Sequence, residues 1–181
     1  MATDFDDVTD LVNEDGKVHL PRPSIAFMKP RLSRWVAFGF GSGLARVAPG
    51  TFGTLFAWVS FALLAPLVGM PAMLALALAG IPLGTWAVRR TGADLGVSDH
   101  SAIVWDEIVA FWLLLCLVPQ SFVAQLLAFL LFRFFDIVKP APIGWIDRQM
   151  KTGWGVMLDD LVAAVYAGIP FALWWRSNWW V

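Results

Sequence analysis

Charged and apolar positions segregate sharply along this chain. From Val47 to Val88 no residue carries a charge, a run of 42 residues, and about two membrane crossings of roughly 20 residues each fit within it. Gly69-Met70-Pro71 divides it. A second uncharged run, Ile108–Phe132, covers 25 residues and is broken at Pro119-Gln120-Ser121, so each half must draw length from its charged flanks. A further run, Leu161–Trp175, becomes a span when it starts at Leu158. The pattern predicts an all-α membrane protein, a bundle of about five transmembrane helices at 52–69, 71–88, 103–118, 121–137 and 158–175.

The first 31 residues are different, acidic and then Pro-rich and basic (LPRPSIAFMKPR), with too little apolar periodicity to fold alone. They are expected to form a disordered tail, leaving 32–181 as a single transmembrane domain. An acidic start with no apolar core behind it does not read as a signal peptide. Residues 32–46 are amphipathic enough to lie along a membrane surface, and their glycines suit a loop equally well.

Composition sharpens this reading. The chain is 59% hydrophobic and 15% charged, whereas soluble domains carry about 25% charged residues. A net charge of −1 offers no basic stripe for neutralising nucleic-acid phosphates. The single cysteine, Cys116, excludes an internal disulfide, a cysteine zinc site and a CxxC redox pair. Metal chemistry therefore has to use oxygen or imidazole ligands. Nor is there a Cys-phosphatase motif, since Phe122 stands six residues after Cys116, or a Gly-x-Ser-x-Gly elbow.

Lys and Arg set the orientation, because cytoplasmic loops hold their excess. With the N-terminus in the cytoplasm, every Lys and Arg except Arg176 falls on the inner side, and the turns at 69–71 and 119–121 are uncharged. One consequence concerns the carboxylates. Asp106 and Glu107 open the third helix on the cytoplasmic side, Asp136 closes the fourth there, and Asp159 and Asp160 open the fifth. Five carboxylates from three helices thus reach one depth, and an ionisable group inside a spanning segment is a functional candidate. Such a gathering calls for a cation, and one or two divalent ions with hard oxygen ligands, as magnesium prefers, would supply it.

Each group also has a plainer explanation. The pairs Asp106-Glu107 and Asp159-Asp160 are favoured at helix N-termini by the helix dipole, whereas Asp136 opposes the dipole at a C-terminus. Local pairing of Asp136 with Arg133 and Lys139 is its structural alternative. Since Pro140 ends the helix after Lys139, Arg133 and Lys139 are expected to be free to face an anion such as phosphate. Asp99 and His100 precede the third helix, where a cap or solvated pair competes with a chemical role, and Asp94 and Asp147 have weaker claims. The stretch GFGSGLARVAPGTFGT offers backbone N–H groups and the hydroxyls of Ser42, Thr51 and Thr54 as an anion cradle, although it is not a Walker loop.

The segments GFGSGLARVAPGTFGT, GVSDHSAIVWDEIVA, FRFFDIVKPAPIGWID and GWGVMLDDLVAAVYAG resemble, in order and spacing, those of the phosphatidylglycerophosphatase A family over roughly residues 35–168. The resemblance implies a magnesium-dependent enzyme of the bacterial inner (cytoplasmic) membrane that converts phosphatidylglycerophosphate to phosphatidylglycerol. Its motif carboxylates correspond to Asp106, Glu107, Asp136, Asp159 and Asp160, and Asp99 and His100 match the pattern too. Ala45-Arg46 and Trp154 depart from it at positions bearing on substrate contacts. On this reading the lipid tails stay in the bilayer while magnesium on Asp106, Glu107, Asp159 and Asp160 neutralises the phosphate. Arg133 and Lys139 bind that phosphate, with Arg46 and Thr51 assisting. A carboxylate or His100 activates the attacking water, with Asp99 also among the catalytic candidates, or Asp136 or another Asp serves as a covalent nucleophile. The alternative is a small ion-coupled transporter or metal permease, in which ionisable groups are expected near the midplane rather than at one interface. A structural protein that binds a partner through its acidic surface leaves Asp136 and the converging helices unexplained.

Overall fold

The apolar runs become helices in the computed structural model, which describes residues 23–97, 100–150 and 152–177. Among the described residues there is no strand, and the α-helices are α1 (Ile25–Met28), α2 (Leu32–Ala37), α3 (Pro49–Val68), α4 (Met70–Leu95), α5 (Trp105–Leu117), α6 (Phe122–Val138), α7 (Ile143–Gln149) and α8 (Gly153–Ser177). A 3-10 segment, Gly39–Leu44, follows α2. The hairpin turn between α3 and α4 falls at Gly69, whose φ of 83° lies in the left-handed region that glycine adopts without strain. Helix α6 starts under the Ser121 hydroxyl, which accepts from the Ala124 amide at 3.3 Å, and stops at Lys139 before Pro140.

Three of the five expected spans, Pro49–Val68, Met70–Leu95 and Gly153–Arg176, are long and apolar enough to cross a membrane. Their outer faces carry exposed large apolar side chains, among them Val59, Leu63, Leu67, Leu78, Val165 and Leu173. A patch of that size on a soluble monomer would be an aggregation hazard, whereas lipid accepts it. The other two expected spans are too short for that: α5, at 13 residues, falls short of the expected 103–118, while α6 has the 17 residues expected over 121–137, shifted by one. Helix α8 starts at Gly153, five residues before the expected boundary, and α4 runs past Arg89 and Arg90 to Leu95. Helix α7 was not anticipated.

The shortness of α5 follows from its surroundings. Trp105, Ile108, Val109, Ala110, Phe111, Leu114 and Leu115 are buried, because α3, α4 and α8 pack around it. Between helices in lipid the apolar side chains gain little from burial as such, so adhesion comes from close packing and hydrogen bonds. Both are present. Gly80 and Gly84 of α4 form a small-xxx-small face against α5, and a Cβ on Gly84 would come within 2.5 Å of Trp105 Cδ1. The indole N–H of Trp105 donates to Gly80 O at 2.9 Å, and that of Trp112 donates to Ala57 O of α3 at 3.0 Å. Trp58 Nε1 of α3 likewise donates to Gln125 Oε1 of α6 at 2.7 Å. Each bond satisfies a polar group that would be costly to leave bare in an apolar interior.

The N-terminus of α5 lies within the protein. Irregular backbone at such a depth is tolerated only where protein covers it, and the 3-10 segment provides the cover. Val104 N–H donates to Ala37 O at 2.9 Å. Gly39, at φ 52°, leaves room for Ile108 and Val104, since a Cβ there would stand 2.5 Å from Ile108 Cδ1. Of the tail expected over 1–31, residues 1–22 lie outside the described residues, while 23–31 pack on the bundle. Met28 is buried, and Asp94 at the end of α4 accepts from Arg31 Nη1 at 2.9 Å and from Arg34 Nε at 3.0 Å. Arg34 also donates to Phe27 O at 2.7 Å and stacks over the Phe27 ring. The amphipathic stretch expected over 32–46 is therefore α2 and the 3-10 turn, clamped to α4.

Candidate active site

A cavity of about 360 Å³ opens where α3, α5, α6 and α8 converge, walled by Ala48, Pro49, Gly50, Ser101, Ile103, Asp106, Glu107, Arg133, Asp136, Ile137, Lys139, Val156, Asp159 and Asp160. All five carboxylates that the sequence places at one depth line it, with both cations expected beside them. Asp106 and Asp160 are buried, at 6% and 4% exposure. Oxygens of Asp106, Glu107 and Asp160 lie within 4.8 Å of one another. Periodicity explains the meeting: Asp106 and Glu107 occupy the first turn of α5, and Asp159 and Asp160 the second turn of α8, and these helices run side by side.

The carboxylates divide into two groups. On one side, Asp136 Oδ2 accepts from Arg133 Nη1, a bond between neighbours one turn apart on α6. The same guanidinium nitrogen lies 3.9 Å from Glu107 Oε1 and 3.5 Å from Thr54 Oγ1. On the other side, Asp159 Oδ2 accepts from Lys139 Nζ at 2.8 Å, and Asp147 Oδ1 of α7 lies 2.9 Å from the same nitrogen. Burial opposes charge on Lys139, but its bonds to Asp159 and Asp147 outweigh that and hold the ammonium above its ordinary range. It therefore stays protonated.

Between these groups the balance is not closed. Five carboxylates face two cations in the cavity wall. Glu107 Oε2 and Arg133 Nε are buried without a hydrogen-bond partner, and Asp160 enters no ion pair among the described residues. A buried carboxylate oxygen left unpaired costs roughly 1–3 kcal/mol or more. The donor set is oxygen alone, clustered and negatively charged, which fits a hard divalent cation.

Several expectations meet a different geometry. Asp159, expected among the metal ligands, is turned to Lys139 and stands outside the group of three clustered carboxylates. Arg133 and Lys139, expected to face phosphate unencumbered, are each held by carboxylates, although both still line the cavity. His100 and Arg46 line a smaller adjoining hollow of about 120 Å³, which shares Pro49 and Ser101 with the main cavity. There His100 Nδ1 accepts from the Ala102 amide at 3.1 Å. Asp99 lies outside the described residues. Thr51 is on the first turn of α3, where its amide bonds Ala48 O, and is not among the lining residues of either hollow. Within the glycine-rich stretch, Gly50 does most for the site. A Cβ there would stand 2.3 Å from Glu107 Oε1 and 3.1 Å from Arg133 Nη1, so glycine lets the ion pair reach against the α3 backbone. The sequence reading missed this, and also missed Asp147 as the second anchor of Lys139. A glycine two residues before Phe52, at a helix start, was the available signal for the first.

Comparison with known proteins fits this geometry. The chain is 42% identical over 150 residues to phosphatidylglycerophosphatase A of Haemophilus influenzae, covering 82% of this chain and 91% of that protein. It is 40% identical over 138 residues to phosphatidylglycerophosphatase A of Escherichia coli, covering 75% and 80% respectively. A Bacteroides thetaiotaomicron protein provisionally named a phosphatidylinositol-3-phosphatase is 37% identical over 145 residues, covering 76% and 90%. No solved structure matches the chain. These relatives are named as phosphatases and do not favour a transporter. The family model for phosphatidylglycerophosphatase A matches residues 35–174, nearly the whole described bundle, and the chain belongs to that family of phosphomonoester hydrolases.

Proposed function

We propose that this membrane phosphatase removes the terminal phosphate of phosphatidylglycerophosphate to leave phosphatidylglycerol, and that it depends on magnesium. The observation that carries the reading is the surplus of carboxylate in the α5–α6–α8 cavity, with Glu107 Oε2 buried and unpaired beside Asp106 and Asp160. Those three residues would hold the cation, with Asp159 next to them. Bound magnesium supplies charge neutralisation for the phosphate oxygens and a Lewis acid for the reaction.

The chain's own residues do the rest. Arg133 and Lys139 present cations at the cavity wall, each pinned by carboxylates and so oriented before substrate arrives. A cavity carboxylate accepts the proton of the attacking water, and Asp136, fixed by Arg133, is the alternative direct nucleophile. Trapping a phosphorylated enzyme distinguishes the two. A cavity facing the cytoplasm is the orientation we propose; it is supported by the excess of Lys and Arg that cytoplasmic segments hold, with Arg176 the one described Lys or Arg assigned to the outer side. In that orientation α5 and α6 serve as the third and fourth membrane helices, and acyl chains remain in lipid while the headgroup enters.

The experiment is phosphate release from phosphatidylglycerophosphate by the detergent-purified chain, with magnesium and then with a chelator. Release that stops on chelation and returns with magnesium is expected. Release that persists in chelator overturns the metal assignment, and no release from folded protein overturns the substrate.

A further inference from the structure

A second hollow, larger than the carboxylate cavity at about 890 Å³, lies between α4 and the start of α8. Its wall runs from Ile81 and Pro82 through Trp86 to Arg89 and Arg90, with Trp154 of α8 facing them. An adjoining hollow of about 600 Å³ shares Arg89 and continues to Thr152 and Gly153. None of the lining residues belongs to the carboxylate cavity. Six positions separate Trp154 from Asp160, which puts them about 120° apart around α8, so one helix serves two separate recesses.

Three features identify what this recess would take. Arg89 and Arg90 enter no ion pair among the described residues, in contrast to Arg31, Arg34 and Arg133. Trp86 and Trp154 are half exposed, at 49% and 44%, and tryptophan at that level of a spanning helix marks the boundary between headgroups and hydrocarbon. Ile81 and Pro82 lie seven to nine residues before the arginines on α4, about 10–13 Å along its axis. Cationic mouth, aromatic collar and apolar floor thus follow one another along a helix long enough to span the bilayer. A soluble anion would use only the mouth. A lipid with an anionic headgroup uses all three, and basic recesses between membrane helices are suited to such headgroups.

We propose that the α4–α8 groove is a binding site for an anionic phospholipid, separate from the site of hydrolysis. Arg89 and Arg90 hold the phosphate, Trp86 and Trp154 flank the glycerol region, and an acyl chain lies along Ile81 and Pro82.

The test is thermal unfolding of the detergent-purified full chain as phosphatidylglycerol is added to the micelles, with phosphatidylcholine and glycerol phosphate as separate arms. Phosphatidylglycerol is expected to raise the unfolding midpoint by about 5 °C near saturation, and the other two to leave it unchanged. The double variant R89Q/R90Q loses most of that shift, and R89K/R90K keeps most of it. Ala93→Phe leaves both arginines in place while filling the hollow from an exposed position; it reduces the shift and serves if the double variant does not fold. Asp160→Asn retains the shift. A full shift in R89Q/R90Q or Ala93→Phe, an equal response to phosphatidylcholine or glycerol phosphate, or a shift lost only in Asp160→Asn overturns the proposal.

Discussion

The cavity end of the bundle holds two clusters made of the same residue types, and they behave as opposites. Around Asp94 the bonding closes: one carboxylate meets two guanidinium groups, and each of its oxygens has a partner. Around Asp106, Glu107 and Asp160 it does not, since carboxylates outnumber cations and buried polar atoms go unpaired. The first cluster ties α2 to α4 and stabilises the fold. The second retains repulsion and orphaned atoms that a bound cation and substrate would relieve. On the proposed reading, what separates structural from chemical charge in this molecule is therefore not residue identity or proximity to a helix end. It is whether the local hydrogen bonds are complete without a ligand.

The largest effect on that contrast is expected from removing charge in the open cluster. Asp160→Asn and Asp106→Asn should each lower phosphate release at least about a hundredfold, while the thermal midpoint holds or rises because like charges no longer crowd. Wild-type turnover in both variants would erase the distinction. Next comes Gly50→Ala, whose new methyl group must displace Glu107 or Arg133. A fall in kcat/KM of about tenfold or more, with a higher magnesium concentration needed for half-activity, is expected in titrations of the purified protein. Asp94→Asn should do the reverse. It leaves Arg34 short of a partner and lowers stability by about 1 kcal/mol, with turnover below the transition within about twofold of wild type. Calorimetry alongside the activity assay checks both halves. The smallest effect belongs to Arg31→Ala, since that side chain is 45% exposed and an exposed ion pair contributes roughly 0–1 kcal/mol. A loss as large as that of Asp94→Asn would show that the clamp depends on Arg31 rather than Arg34.

The open cluster was largely legible in the sequence because its members lie near helix ends fixed by uncharged runs and turn residues. Once the runs ending at Val88 and Phe132 are placed, Asp106, Asp136 and Asp160 have to come to one level. The closed cluster was not legible. Asp94 lies 60 residues from Arg34, and neither belongs to a periodic apolar pattern that would bring them together. The 17 residues expected for α6 were found, but α5 is shorter than the expected 103–118 for a related reason: hydropathy registers transfer from water, whereas a helix enclosed by others is sized by its neighbours. Gly80 and Gly84 carry the trace of that enclosure, a pair four apart on a long apolar helix. The split of the carboxylates between Arg133 and Lys139 depends on side-chain directions that spacing does not specify.

The enclosure of α5 also bears on how the protein is made. On the five-span reading we propose, a 13-residue segment with two acids in its first turn is a poor candidate to enter a membrane alone, so it is best delivered as a hairpin with α6 and surrounded afterwards. Helix α8, synthesised after the other described helices, both seals that enclosure and brings Asp159 and Asp160 to it. A chain interrupted before α8 would hold only three of the five carboxylates and an unsealed core, so the acidic cavity becomes complete in the same step that encloses α5.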